Sequence, residues 1–342
     1  PAWGSVGVFT QAETCAGCHR ASGPGDIPTV MRFPDEQGED VGPFYQWRHS
    51  MMAHAFDDPY FQAKVQDEIN VFPSIAGFIE DKCFTCHASM GRTHAHQTGT
   101  GLTQDNCGLV DGCYRYDQAV IDMQSREGVS CTLCHQIKAD LLGTSASFSG
   151  GFQIAEAGDL DAYTIYGPFQ NPHPGGSSLM QSNSGYTPLI GVHISSSDHC
   201  ASCHTLYTPS IDVETGQLTG NEFLEQGPYL EWQNSVYATG QAQEQQCQDC
   251  HMPEPGVGGF TTRIAVRPNG TVNEMWPERT PFATHSMVGG NTYMLEVLKS
   301  YRDVLGIAGS TTESGFDEKI TQTRDLLQQA TAGIAIDSVT MD

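Results

Sequence analysis

Positive charge is scarce in this chain. Its 342 residues carry 16 Lys and Arg against 40 Asp and Glu, for a formal net charge of −24. A chain this acidic lacks the basic footprint that nucleic acid or an anionic lipid surface requires. Long apolar runs are also missing. Stretches such as residues 75–79 fall far short of the roughly 18 residues of a membrane span. Pro1-Ala2-Trp3 shows no basic region leading into an apolar core; if the protein is exported, its signal is expected to have been removed already. No heptad pattern or low-complexity tract appears, and strand signals are few: 261–266 and 334–339 are the better ones. With 37 Gly and 18 Pro, regular structure is repeatedly interrupted, and 168–178 reads as irregular.

Against these absences stand twelve cysteines. Ten form five Cys-x-x-Cys pairs, each followed at once by His: Cys15-Cys18-His19, Cys83-Cys86-His87, Cys131-Cys134-His135, Cys200-Cys203-His204 and Cys247-Cys250-His251. This is the attachment signature of c-type haem. Two thiols add across the two porphyrin vinyl groups, and the next residue places its imidazole under the iron. A zinc ribbon or a thioredoxin-like pair also uses Cys-x-x-Cys, but neither demands the His. With 13 His in the chain, five chance placements have a probability of roughly 10⁻⁷ against the haem pattern. Five covalent, iron-containing haems are expected. The remaining cysteines, Cys107 and Cys113, flank a turn signal at Asp111-Gly112 and are expected to close a local disulfide, in keeping with an exported protein.

Eight His remain beyond the five proximal ones. A second His closes the sixth iron site and suits it to electron transfer, whereas an open site permits catalysis. The favoured distal ligands are His54, after an aromatic-rich segment; His96; His173, between two prolines; and His193 and His285, in apolar neighbourhoods. His49, His94 and His199 are reserves. Met51, Met52, Met90, Met252 and Met287 are read as packing more often than as ligands.

The expected fold is a single domain over 1–342, mainly α with extensive loops and little β, wrapped around closely packed haems. Helices are expected near 57–70, 75–82, 116–126, 228–237, 292–305 and 316–330, the last with Phe316, Ile320, Leu326 and Leu327 on its apolar face. A weak repeat relates Gly42-Pro43-Phe44-x-x-Trp47-x-x-Ser50 to Gly227-Pro228-Tyr229-x-x-Trp232-x-x-Ser235.

The stretches Trp47 to His54 with Asp58-Pro59, Gly128 to His135, Cys200 to Thr208, Cys247 to Pro253 and Pro281 to Asn291 resemble the large multihaem c-type cytochrome family related to the tetrahaem cytochrome of hydroxylamine oxidation. The resemblance implies a closely spaced chain of bis-His haems and supports His193 and His285 as distal ligands. Relatives often continue into a β-rich region, so a chain stopping at Asp342 suggests a shorter member or a processed C-terminus.

Two functions compete. One is electron transport between redox partner proteins or to extracellular acceptors, in an exported protein that is extracellular, on the cell surface or periplasmic. Spare His and an acidic, polar surface also suit a homopolymeric filament. The other is a multihaem reductase of nitrogen compounds with one open iron. Pentahaem nitrite reductases often mark that haem with Lys after the second Cys; all five motifs here end in His, and no basic cluster awaits an anionic substrate. Electron transfer is the favoured reading, with no catalytic residues.

Overall fold

The computed structural model describes residues 7–108, 111–170, 174–212, 214–215, 217–256 and 258–331. His173 and the strand expected at 334–339 lie outside them. The described chain is mainly helical, with long irregular connections and four two-stranded sheets. Among the described residues no helix is long and apolar enough to cross a membrane.

Local chemistry accounts for the longer helices. In Pro59–Val71 the Asp58 carboxylate accepts the Tyr60 and Phe61 N–H groups, while Pro59 occupies the first turn, where its missing N–H costs nothing. Asn291 caps Thr292–Ser300, and Thr312 caps Glu313–Gln329. These last two helices pack through Leu295, Leu298, Phe316 and Ile320. The buried face of the second also takes in Lys319 and Thr323, whereas Leu327 is exposed. The expected apolar stripe is therefore shorter and partly polar.

Two further expectations fail. Residues 168–178 are not wholly irregular, because a helix begins at Pro174 and runs to Ser184; Pro is tolerated in a first helical turn. Residues 261–266 form no strand, only an isolated bridge between Thr262 and Arg279. The strands that do form include a parallel pair, Thr164–Gly167 with Thr187–Ile190, and an antiparallel ribbon of half-buried Leu206–Ile211 with largely exposed Leu218–Gln226. The repeated segments adopt like conformations: Pro43–Trp47 and Pro228–Gln233 are short helices. Their aromatic pairs, Phe44–Trp47 and Tyr229–Trp232, have ring centroids 6.1 and 5.5 Å apart.

The apolar core is divided. Five separate clusters of three to six buried residues replace the one contiguous core usual in a domain. Four lie beside the Cys-x-x-Cys-His segments; Phe84, for example, anchors one and Leu133 another.

Buried polar groups hold the second motif in place. Asp81, two residues before Cys83, is 2% exposed. Its carboxylate accepts Arg92 Nη2 at 2.6 Å, His96 Nε2 at 2.7 Å and the Tyr114 N–H at 2.9 Å. Burial pushes this carboxyl up, but the His96 and Arg92 contacts outweigh it and leave it below the usual range. Its stabilisation is therefore present above the unfolded carboxyl pKa and is lost as pH falls through the lower folded value. Asp81→Ala, which strands the Arg92 charge, is expected to cost about 3–5 kcal/mol. Chemical denaturation at neutral pH measures the loss; a variant as stable as the parent removes Asp81 from this role.

Candidate cofactor-binding site

Each of the five motifs lies on a helical turn. Four occupy short helices or their ends: Ala12–Ala16, Cys131–Cys134, Ser197–Ala201 and Cys247–His251. The other ends the longer helix Ala76–His87. At i, i+3 and i+4, the two thiols and the imidazole of a motif share one helix face. The turns are closed by His19 N–H to Cys15 O at 2.8 Å, His135 to Cys131 at 3.0 Å and His204 to Cys200 at 2.9 Å.

The imidazoles are oriented from afar. Nδ1–H donates to a backbone carbonyl in four motifs: His19 to Ile264 at 2.8 Å, His87 to Ala55 at 2.9 Å, His135 to Tyr166 at 2.6 Å and His251 to Val288 at 2.6 Å. A donor bond at Nδ1 fixes the tautomer that leaves Nε2 as a free lone pair, the usual support for a metal-bound imidazole. Burial lowers the pKa of His19, His87, His135 and His204, and so favours the neutral form that a metal needs.

Among the remaining His, His285 stands opposite His135, with ring centroids 6.2 Å apart and planes 21° apart. Two imidazoles on one metal, each bonded at about 2 Å, would have centroids about 6 Å apart. The pair therefore fits an axial couple. Burial pushes His285 and His199 down to about 3, and both are neutral at pH 7. Nδ1 of His94, His199 and His285 is buried without a hydrogen-bond partner. His193 and His199 also lie 6.2 Å apart, at 44°, but His193 Nε2 donates to Ile137 O at 2.9 Å. His54 Nε2 donates to Arg48 O at 3.0 Å, and His96 Nε2 meets Asp81. Both nitrogens of His49 are engaged: Nδ1 donates to Tyr45 O at 3.0 Å, and Nε2 accepts the Thr312 N–H at 3.1 Å. His49 thus fastens the Pro43–Trp47 helix to the Glu313–Gln329 helix.

The motifs adjoin one another. The Cys15 thiol neighbours that of Cys131, Cys86 that of Cys203, and Cys200 that of Cys247, each near enough to shift its partner's ionisation. Backbone contacts reinforce these junctions. Thr10 and Thr132 bond reciprocally at 3.3 and 3.1 Å, and Cys247 N–H donates to Ser197 Oγ at 2.9 Å. At the junction of the second and fourth motifs, Gly150 donates to Ser202 O at 2.6 Å. A Cβ at Gly150 would fall 2.0 Å from Thr85 Cγ2, and its φ is +84°. Only glycine fits that approach.

None of the ten motif cysteines is in a disulfide, and the one among the described residues joins Cys107 to Cys113. Among the described residues no group of three or more His, Cys, Asp and Glu converges to hold a metal ion, as a four-ligand zinc site would require. Paired thiols and an oriented imidazole on one face, between divided apolar clusters, fit a covalently attached porphyrin.

Several participants had no sequence signal. The carbonyls of Ala55, Tyr166, Ile264 and Val288 are backbone atoms, invisible in residue identity. Glu127, between the first and third motifs, accepts from the Ala12 N–H and from Ser130 Oγ. Burial raises its carboxyl pKa to about 7, and the Ala12 N–H only partly offsets this. The folded value exceeds the unfolded one of about 4.3. Its contribution is therefore full below that value and is lost as pH rises to about 7. Glu127→Gln is expected to flatten stability across that window, as thermal midpoints between pH 4 and 8 would report; an unchanged slope refutes the assignment.

No protein-family model matches the chain, and a search of curated proteins finds no match. Among solved structures it is similar to a penta-haem cytochrome c552 from Thermochromatium tepidum, with a TM-score of 0.41 and 18% identity, over 84% of this chain and 59% of that one. The chain thus spans less than two thirds of that protein.

Proposed function

We propose that this chain is a multihaem c-type cytochrome that passes electrons along five bis-His haems. The carrying observation is the set of five Cys-x-x-Cys-His turns, four with the imidazole held through Nδ1 on a distant carbonyl. Bound haem iron supplies one-electron redox chemistry. The chain's part is to tether each ring through two thiols, present a neutral Nε2, and set the neighbours. Under this reading His19, His87, His135, His204 and His251 are proximal ligands, and His285 is the distal partner of His135. His54, His96, His173 and His193 remain distal candidates, with His94 and His199 in reserve; His49, with both nitrogens engaged by Tyr45 and Thr312, leaves the reserve.

The thiol contacts support an order. The first motif adjoins the third, and the fourth adjoins both the second and the fifth. Cys134 of the third motif also acts electrostatically on Cys200 and Cys203. Electrons entering at the first haem would pass the third and reach the fourth, where the path branches. Acidity, Cys-linked haem and a disulfide fit an exported protein, outside the cell or in the periplasm, serving redox proteins or extracellular acceptors. Assembly of copies into a filament through their terminal haems belongs to the same reading; electron microscopy of native material distinguishes it from a monomer.

A second reading has one observation in its favour. An open cavity of about 460 Å³ lies beside the third motif, lined by Lys138, Asp161, Tyr166 and His193 among others. Were His193 not bound to iron, a small nitrogen compound could enter there. Carbon monoxide added to the reduced native protein decides between the readings: no binding is expected of five closed haems, and stoichiometric binding favours the reductase.

A further inference from the structure

Lys319 is 2% exposed, on the inner face of the helix Glu313–Gln329. Its Nζ donates to Ser286 O at 2.5 Å, Gln322 Oε1 at 2.9 Å and Gln46 Oε1 at 3.4 Å. Three acceptors around one nitrogen match the three donors of an ammonium; a neutral amine has only two. No carboxylate among the described residues forms an ion pair with it, and the adjacent Glu318 is engaged by the Tyr45 hydroxyl at 3.0 Å. Burial pushes Lys319 down to about 7, with Glu318 opposing. A buried charge without a direct ion-pair partner is costly and rarely retained without a use. This one sits on the carbonyl of the residue following His285.

Resting on the proposed pairing of His285 with His135, we infer that Lys319 is a positioning and tuning residue for that haem: it holds the Ser286 carbonyl and raises the haem's reduction potential. The physical basis is Coulombic. A fixed cation in a low-dielectric interior disfavours the ferric state, which carries one more positive charge than the ferrous. Its bond to Ser286 O also restrains the segment that carries the ligand. Haem potentials respond to charge, burial and hydrogen bonding near the axial ligands.

The test is spectroelectrochemical titration of the haem-loaded protein at pH 6, below the value of about 7 to which burial pushes Lys319. In Lys319→Met one haem is expected to be about tenfold harder to reduce at a fixed applied potential, about 59 mV for one electron, while the other four are unmoved. Lys319→Arg should restore most of the parent value. Gln322→Glu, at a half-buried position, neutralises the ammonium without removing it and should shift the same haem the same way; it serves if Lys319→Met does not fold. The affected haem must be the one whose spin state changes in His285→Ala. Unmoved potentials, or a shift confined to another haem, overturn the inference while the bis-His reading stands. If His285→Ala leaves every haem low-spin, the ligand pairing fails and the inference with it.

Discussion

Denatured and fully matured protein is expected to weigh five haem groups more than its polypeptide. Thioether bonds survive unfolding, so covalent haem remains on the chain when every non-covalent ligand has left. Zinc held by the same thiols would be released and add nothing. Each motif brings two thiols and an imidazole to one helix face, and none of the ten thiols is consumed in a disulfide. The Cys107–Cys113 bridge subtracts only two hydrogens. Intact-mass measurement gives the count directly, and four or fewer additions in a well-matured sample would contradict the reading. Replacing both Cys131 and Cys134 by Ser should remove one haem unit. It should also loosen the junction with the first motif, because Cys131 meets Cys15 and Thr132 is bonded to Thr10.

His285→Ala is expected to convert one low-spin haem of the oxidised protein to high-spin and to open that iron to carbon monoxide after reduction. The rings of His285 and His135 lie 6.2 Å apart with near-parallel planes. Removing one imidazole leaves the iron five-coordinate or water-bound, a weaker field in either case. Because His285 is half-buried with its Nδ1 shielded from solvent, the cavity left by Ala should admit exogenous imidazole, and added imidazole should restore the low-spin spectrum. The same substitution at His49 should leave all five haems low-spin, since both its nitrogens are spent on Tyr45 and Thr312; its effect should be on stability. A high-spin haem in His49→Ala and none in His285→Ala would reverse the assignment.

What could be read from the sequence depended on the range of the interaction. Asp58-Pro59 opens a helix because cap and first-turn chemistry act within four residues. The twin Gly-Pro-aromatic segments form matching short helices for the same reason. The ribbon Leu206–Ile211 with Leu218–Gln226 is not legible in the sequence because its second strand lies almost wholly in solvent and carries no buried alternation. The helix Pro174–Ser184 was hidden by a Pro that breaks a helix interior but is tolerated at its start.

The sequence by itself determined the chemistry at each attachment point: two thiols and an imidazole at spacings matched to a porphyrin's vinyl groups and iron, five times over, in an acidic chain. Covalent geometry fixes those distances within five residues, so no fold is needed to recognise them. The tertiary structure alone decided which motif adjoins which, and set His285 opposite His135. It also turned His49 into a fastener and set Lys319 against Ser286. These contacts join residues tens to hundreds of positions apart. Their partners are often backbone carbonyls, which every residue possesses, so only packing selects among them.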